Sequence, residues 1–273
     1  MAISKIGRNS TDTGITDGSN ATAITIDSAE NVGIGTTPES HHANWSAIDF
    51  GDQGGLAHYD GGATSLSTNL YHDGAWKAKE TGTSSRYEIG AGGTHNWYSG
   101  ANANADAAVT LTNTLAIDAR GRLTQPLQPS FVVSYNNASY NWGGTTNGTL
   151  IKMAFNSTGT NGHNTGSLWN TSNTRMEAPV AGRYHVGVQW FNNYSSDYAR
   201  IGAHISINGS TKYQSYVIQW EAAAGNNCSA IVNLSADQYV EFWGSIYDGN
   251  ATSNSWTGYG GAIETYGYGY LIG

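Results

Sequence analysis

The chain of 273 residues has one cysteine, Cys228, and four prolines. A single thiol excludes an internal disulfide framework and a zinc site built from cysteines. Charge is sparse: Asp, Glu, Lys and Arg make up 12% of the chain, about half of the roughly 25% usual in globular proteins. No run of about 18 apolar residues occurs, so no membrane-spanning helix is expected. The opening MAISKIGRNS lacks the apolar core of a secretory signal. Basic residues are outnumbered throughout, 7 against 13 acidic groups in residues 1–125 and 5 against 7 in 126–273. Without a basic stripe, nucleic acid is not an expected partner. Helix signals are missing too: no stretch repeats apolar residues at three-and-four spacing between caps, and the alanine-rich piece 101–108 is broken by asparagines.

Aromatic residues are plentiful. They make up 11% of the chain, enough apolar area to offset the entropy of ordering. The dominant pattern has period two. Tyr184, Val186, Val188 and Trp190 alternate with His185, Gly187 and Gln189. Ala199, Ile201, Ala203, Ile205 and Ile207 alternate with Arg200, Gly202, His204 and Ser206, and Cys228, Ala230, Val232 and Leu234 continue the theme. Successive strand side chains point to opposite faces, so each run offers one apolar face to a core, and the chain is expected to be all-β. Asn208-Gly209 predicts a tight hairpin turn, and Pro179 and Gly182 bracket another. Short strands joined by polar turns predict a sandwich or barrel.

Two of the four prolines fall in Gln125-Pro126-Leu127-Gln128-Pro129, a segment unsuited to helix or ladder. The domain junction is expected there, leaving 126–273 long enough to build its own core. The part before it contains an echo: Ile24-Thr25-Ile26-Asp27, leading to Val32, recurs as Leu115-Ala116-Ile117-Asp118, leading to Leu123. Each reads as a strand, an Asp-led turn and a second strand. A hairpin so small cannot bury its apolar face alone, and copies of itself in a symmetric oligomer are the expected cover.

The segment ITIDSAENVGIGTT from Ile24 to Thr37 resembles a motif of bacteriophage tail-fibre proteins, as do Leu66 to Tyr71, Gly74 to Lys77 and Ile117 to Leu123. The C-terminal part resembles the trimeric globular head of complement and its tumour-necrosis-factor-like relatives. Phe131 at the opening of the first strand, Phe155-Asn156 at the family's second-strand region, Ala178-Pro179-Val180-Ala181-Gly182-Arg183-Tyr184, Leu234 to Val240 and the ending Gly267-Tyr268-Gly269-Tyr270-Leu271 carry that likeness. Where the family usually has Gly-Asp, this chain has Ala236-Asp237. The resemblances imply a particle-attachment segment (1–20), a trimeric, intertwined β-rich shaft (21–125) and an antiparallel jelly-roll head (126–273) that trimerises near its closing strand, expected to run from Ala262 to Ile272. They imply a homotrimeric virion fibre, on the tail or alternatively on the capsid, docked through its N-terminus to another virion protein and carrying a distal head that binds a host-surface glycan or protein.

Strand parity sorts the head's connections. The tight turns 179–182, 208–209 and 235–238 fall at one end, and three longer connections, 191–198, 221–227 and 248–260, at the other. Rings flanked by Asn and Asp suit carbohydrate, because the ring covers a sugar's apolar face while amides and carboxylates bond its hydroxyls. The expected ligand-binding residues are Tyr194, Asp197, Tyr198, Trp220, Asp248, Asn250, Trp256 and Tyr259, with Phe191, Asn192, Asn193, Asn226, Tyr247 and Asn254 beside them. Chelation by His41-His42 is not expected, since neighbours on a strand diverge, and His185 and His204 are placed on outward strand faces. Family heads often bind calcium, but no clustered acidic loop supports carrying that over, and neither metal nor cofactor is expected. Carboxylate pairs such as Glu241 with Glu264, or Asp197 with Asp248, are what a polysaccharide-degrading spike would need. No spacing singles either out, no nucleophile elbow, phosphate loop or metalloprotease helix occurs, and an enzyme is not expected.

Overall fold

The computed structural model describes residues 24–136, 139–145, 148–158, 162–192, 199–219, 224–248, 254–259 and 264–273. They form strands and turns without a helix, and the chain divides into two compact units between Pro126 and Leu127. The attachment segment expected at 1–20 lies outside the described residues.

The described part of the first unit begins with a hairpin, β1 (Ile24–Ile26) and β2 (Val32–Ile34). β2 runs parallel to β3 (Trp45–Phe50), which begins an antiparallel ladder with β4 (Gly54–Tyr59) and β5 (Ala63–Thr68). β6 (Tyr71–His72) and β7 (Trp76–Lys77) pair separately as a small hairpin. β8 (Gly82–Ile89), β9 (His95–Ala103), β10 (Leu111–Ile117) and β11 (Leu123–Thr124) then complete a nine-stranded sheet in the order β1-β2-β3-β4-β5-β8-β9-β10-β11. One face is covered by the chain itself. The Ser67 hydroxyl reaches the Leu70 carbonyl, Lys79 Nζ donates to the Gly54 carbonyl, and the Arg86 guanidinium lies 4.3 Å from the centre of the Trp76 ring. That covered layer is largely small and polar, with Ala47, Asp49, Ala57, Ser65, Ser67, Ser84 and Arg86 all buried.

The second unit contains β12 (Ser130–Ser134), β13 (Ser139–Thr145), β14 (Ile151–Lys152), β15 (His163–Thr165), β16 (Trp169–Asn170), β17 (Arg175–Glu177), β18 (Gly182–Asn192), β19 (Ala199–Ile207), β20 (Ser210–Gln219), β21 (Ala224–Leu234), β22 (Tyr239–Asp248), β23 (Asn254–Tyr259) and β24 (Tyr266–Leu271). One sheet runs β15-β12-β24-β18-β21 and the other β16-β17-β22-β19-β20, with β14 also on β22. Numbering the eight principal strands in chain order gives 1-8-3-6 and 2-7-4-5. This is the strand order of a jelly roll, two antiparallel sheets that cover each other's apolar faces.

The alternating runs meet between the sheets. Tyr184, Val186, Val188 and Trp190 from one sheet and Ile201, Ala203 and Ile205 from the other are fully buried. Trp169 and Phe242 stack at 5.9 Å with Phe131 and Phe155 beside them. The Tyr-Gly repeat of β24 follows from this packing. A Cβ on Gly267 would come within 2.8 Å of the Phe242 ring, and one on Gly269 within 2.7 Å of Phe131, so only glycine fits inward while Tyr266, Tyr268 and Tyr270 face out.

Three expectations need correction. Phe155-Asn156 lies between β14 and β15 rather than in a strand, with Phe155 buried as a core ring. The closing strand is shorter than 262–272 and starts at Tyr266, with residues 260–263 outside the described ones. The connection 248–260 contains a strand: β23 pairs with β13 and touches β18 at Asn192↔Gly258, in the lane that β24 occupies further along β18.

Candidate functional site

The two ends of the jelly roll differ. At one, the tight turns bond to one another: Asn208 N donates to the Tyr239 carbonyl, Ala178 N to the Gln238 carbonyl and Asp237 N to the Ala178 carbonyl. The buried Tyr184 hydroxyl donates to the Val180 carbonyl at 2.7 Å and pins the 179–182 corner. The chain enters the unit at the same end, where Leu271 N bonds the Pro129 carbonyl, and Gly273 lies there too, accepting from Arg183 N. Positive φ at Asn208, Gly209 and Asp237 shapes these turns.

The opposite end carries the longer connections. Of the expected binding residues, Tyr194, Asp197, Tyr198, Trp220 and Asn250 lie outside the described residues. Asp248 is not in a loop but closes β22, with its backbone opposite Ala199. Trp256 and Tyr259 lie on β23, and Phe191 and Asn192 close β18, because the ladders continue further toward this end than the polar composition suggests. Asn226 belongs to the framework: its amide donates to the Ile201 and Ser215 carbonyls at 2.9 and 3.0 Å and accepts from the Ser215 hydroxyl.

At this end the structure joins one of the expected rings, Tyr247, to Arg200 and Tyr216, which strand-pattern reasoning missed. On the outer face of β20-β19-β22, the Arg200 guanidinium carbon sits 4.5 Å from the Tyr216 ring centre and 4.2 Å from that of Tyr247. The two rings are 6.0 Å apart, and His204 meets the Tyr216 ring edge-on at 5.5 Å. The register explains the gathering, since Arg200 lies opposite Tyr247, and Gly202 lies opposite Tyr216. A Cβ on Gly202 would fall 2.7 Å from the Tyr216 ring, so glycine lets that ring lie across the strand. Gly148, at positive φ, comes against the Tyr247 ring in the same way.

Arg200 has no ion-pair partner among the described residues, and its Nε is buried without an acceptor. The sequence signal was available: Arg200 is one of only five basic residues after position 125 and adjoins a long connection. Burial, together with the neighbouring Tyr247, pushes the Tyr216 phenol up from its ordinary value. Burial pushes the His204 imidazole down. His204 is buried, with Nε2 2.7 Å from the Ser245 hydroxyl, contrary to its expected surface position. β19 is covered on both faces here, which a simple alternation cannot reveal.

Other polar groups have structural partners. Glu241 is held by Lys152 at 2.6 Å on the β22 face, whereas Glu264 precedes β24 in the other sheet. His41 turns to Asp49 at 3.2 Å, while His42 meets the His72 ring at 6.1 Å. His185 stays on the outer face of β18, 3.1 Å from the Tyr270 hydroxyl. Among the described residues, no group of three His, Cys, Asp or Glu side chains is arranged to hold a metal ion. Burial raises the Cys228 thiol, consistent with a small core residue.

No family model matches the chain, and no curated protein does. Among solved structures it is similar to that of Eiger TNF from S. frugiperda, at 11% identity over 55% of this chain and 94% of that one, with a TM-score of 0.37.

Proposed function

We propose that the chain is a homotrimeric virion fibre protein whose first unit forms the β-rich shaft and whose jelly-roll head binds a host-surface carbohydrate. The observation that carries the reading is the polarity of the head. The chain enters among the tight, mutually bonded turns, while the longer connections and the Arg200–Tyr216–Tyr247 cluster lie at the far end. A head supported at its entry end presents the other end outward, where an adhesive tip belongs. Aromatic faces beside a cation suit a hydroxyl-rich ligand, ring against sugar face and guanidinium to oxygen. The outward ladder Tyr266, Tyr268 and Tyr270 beside His185 supplies an aromatic face near the closing strand for threefold contact. Three linked sites raise avidity by roughly 10²–10⁴ over one, so a weak single contact suffices.

The purified full-length chain tests this. Light scattering is expected to return three times the 28.9 kDa subunit mass. A panel of bacterial surface polysaccharides is expected to include one that retains the chain, with retention falling in Arg200→Ala and Tyr247→Ala. Retention of none, or retention untouched by either variant, removes the adhesive tip from this end. Release of reducing ends from a retained polysaccharide would make the protein a degrading spike.

A further inference from the structure

The nine-stranded sheet is inside out. Its covered face receives alanine, serine and a paired aspartate, while the larger apolar side chains of the same strands point the other way. Ile48 is 37% exposed, Phe50 and Leu56 41% each, and Leu66 53%. Their neighbours Ala47, Asp49, Ala57, Ser65 and Ser67 are buried. Strand register normally places the hydrophobic set on the core side, because a one-residue slip moves all of it to the solvent face. Here the set faces away from the layer that the chain packs on its own sheet.

The exposed residues align across strands. Register pairs carry one apolar row from Ile26 through Ile48, Leu56 and Leu66 to Trp97 and Leu115, with Val32 and Tyr87 filling the intervening strands. Eight strands at about 4.8 Å span about 34 Å. The flanking rows hold Ser, Thr, Gly, His and further apolar residues, without an Asp, Glu, Lys or Arg among their paired positions. Glu30, in the turn beyond β1, is an acid at the margin of this face; it borders a recess of about 290 Å³ with Ile48, Leu56 and His58.

Three features select the occupant. The face is about 34 Å long and three residues deep, some 600 Å², near the roughly 800 Å² that each partner gives to a stable interface. The chain carries a net charge of -8, so copies repel except where charge is absent, and a symmetric contact sets like groups against like. The stripe also reaches both ends of the sheet, where Ile26 on β1 and Leu123 on β11 are exposed, and so is open where a small-ligand groove would be closed.

We propose that this charge-free face is the surface on which copies of the chain meet, the face of one copy covering that of the next. The proposal rests on the reading of the protein as a self-assembling fibre and names the side of the shaft that assembles. Full-length chains carrying Leu66→Cys or Leu56→Cys, in a Cys228→Ala background, are treated with a maleimide before and after unfolding. Ala105→Cys, at an exposed position in the segment behind the sheet, is the control. Light scattering on the same samples gives the assembly state. Labelling at least about tenfold slower at Leu66→Cys and Leu56→Cys than at Ala105→Cys, and equal rates once unfolded, is the expected result for the dry centre of an interface. An assembled protein that labels all three sites equally overturns the proposal and leaves self-assembly to another surface. A monomeric unmodified chain overturns self-assembly and this proposal together.

Discussion

Asp27 and Asp118 build the same turn at the two edges of one sheet. Each carboxylate accepts through Oδ1 from the backbone N–H two and four residues later, Ala29 and Asn31 in one case and Arg120 and Arg122 in the other, all at 2.8–2.9 Å. Each backbone N–H closes on the carbonyl four residues on at 3.0 Å. Each Oδ2 accepts from the side chain at that fourth position, Asn31 at 2.9 Å and Arg122 at 2.6 Å. A residue at positive φ, Glu30 or Gly121, completes the turn. The echo in the sequence is thus an echo in hydrogen bonding, and the two short hairpins end the sheet at β1 and β11. Edge strands this brief offer few free backbone groups for unwanted pairing.

These bonds hold both carboxyls below their ordinary range, through the Asn31 side chain for Asp27 and the Arg122 backbone for Asp118. Asp27→Ala and Asp118→Ala are expected to speed hydrogen exchange at Ala29 and Asn31 or at Arg120 and Arg122, with Asn in place of Asp restoring most protection because its Oδ1 still accepts. Unchanged exchange at those four amides in the alanine variants would show that the turns stand without the carboxylates.

Beneath the sheet, Asp49 is the pivot of a buried ion pair. Lys79 Nζ donates to Oδ1 at 2.6 Å, and Oδ2 accepts from Glu39 N at 2.8 Å with His41 nearby. Burial pushes the carboxyl up, but the bonds from His41 and Lys79 outweigh it and hold the group low. A depressed carboxyl stabilises the fold above the unfolded value, and that contribution is lost as pH falls through the folded one. Asp49→Ala strands the Lys79 ammonium and is expected to cost about 3–5 kcal/mol, whereas Asp49→Leu with Lys79→Met costs far less. Denaturant unfolding of the three proteins checks the order, and a single variant as stable as the double would contradict it.

Much of the jelly-roll unit was legible because its large apolar residues alternate over long strands. The runs at 184–190, 199–207 and 228–234 became β18, β19 and β21, and the tight turns fell at one end. The misplacements share a cause. Trp256, Tyr259, Phe191 and Asn192 sit in polar, glycine-rich surroundings that read as loop, yet backbone pairing extends β18 and adds β23 there. His204 looked superficial because alternation reports two faces without saying that Tyr216 covers the second. In the first unit, alternation marked the strands but not which face the chain covers, since Ser65 and Ser67 are buried and Leu66 is exposed.

Gly267 and Gly269 test the aromatic core. Gly269→Val places branched carbons where Cβ alone would lie 2.7 Å from the Phe131 ring. Overpacking of this kind costs about 1–3 kcal/mol or more, so thermal unfolding of the jelly-roll unit is expected several degrees lower. Tyr270→Phe, on the outward side of the same strand, is expected to leave that transition in place. A Gly269→Val protein as stable as the parent would mean that the aromatic layer shifts freely.

His204 is expected to make the second unit sensitive to mild acid. Its ring is buried against Tyr216 and Ser245, with Gln214 the neighbouring polar group on β20, and no carboxylate pairs with it among the described residues. Burial disfavours the imidazolium and pushes the folded value below 6.5, against a smaller opposing effect of Gln214. The unfolded chain therefore takes up the proton first. Stability from this site is complete above the unfolded value and declines as pH falls from about 6.5 through the folded one. Denaturant midpoints of the jelly-roll unit between pH 8 and 5 should fall with acid, and His204→Gln, which keeps a polar group near Ser245 but does not titrate, should flatten that slope while lowering the midpoint at pH 8. An equal slope in the variant would assign the acid sensitivity to another group and mean that His204 takes up its proton equally in the folded and unfolded states.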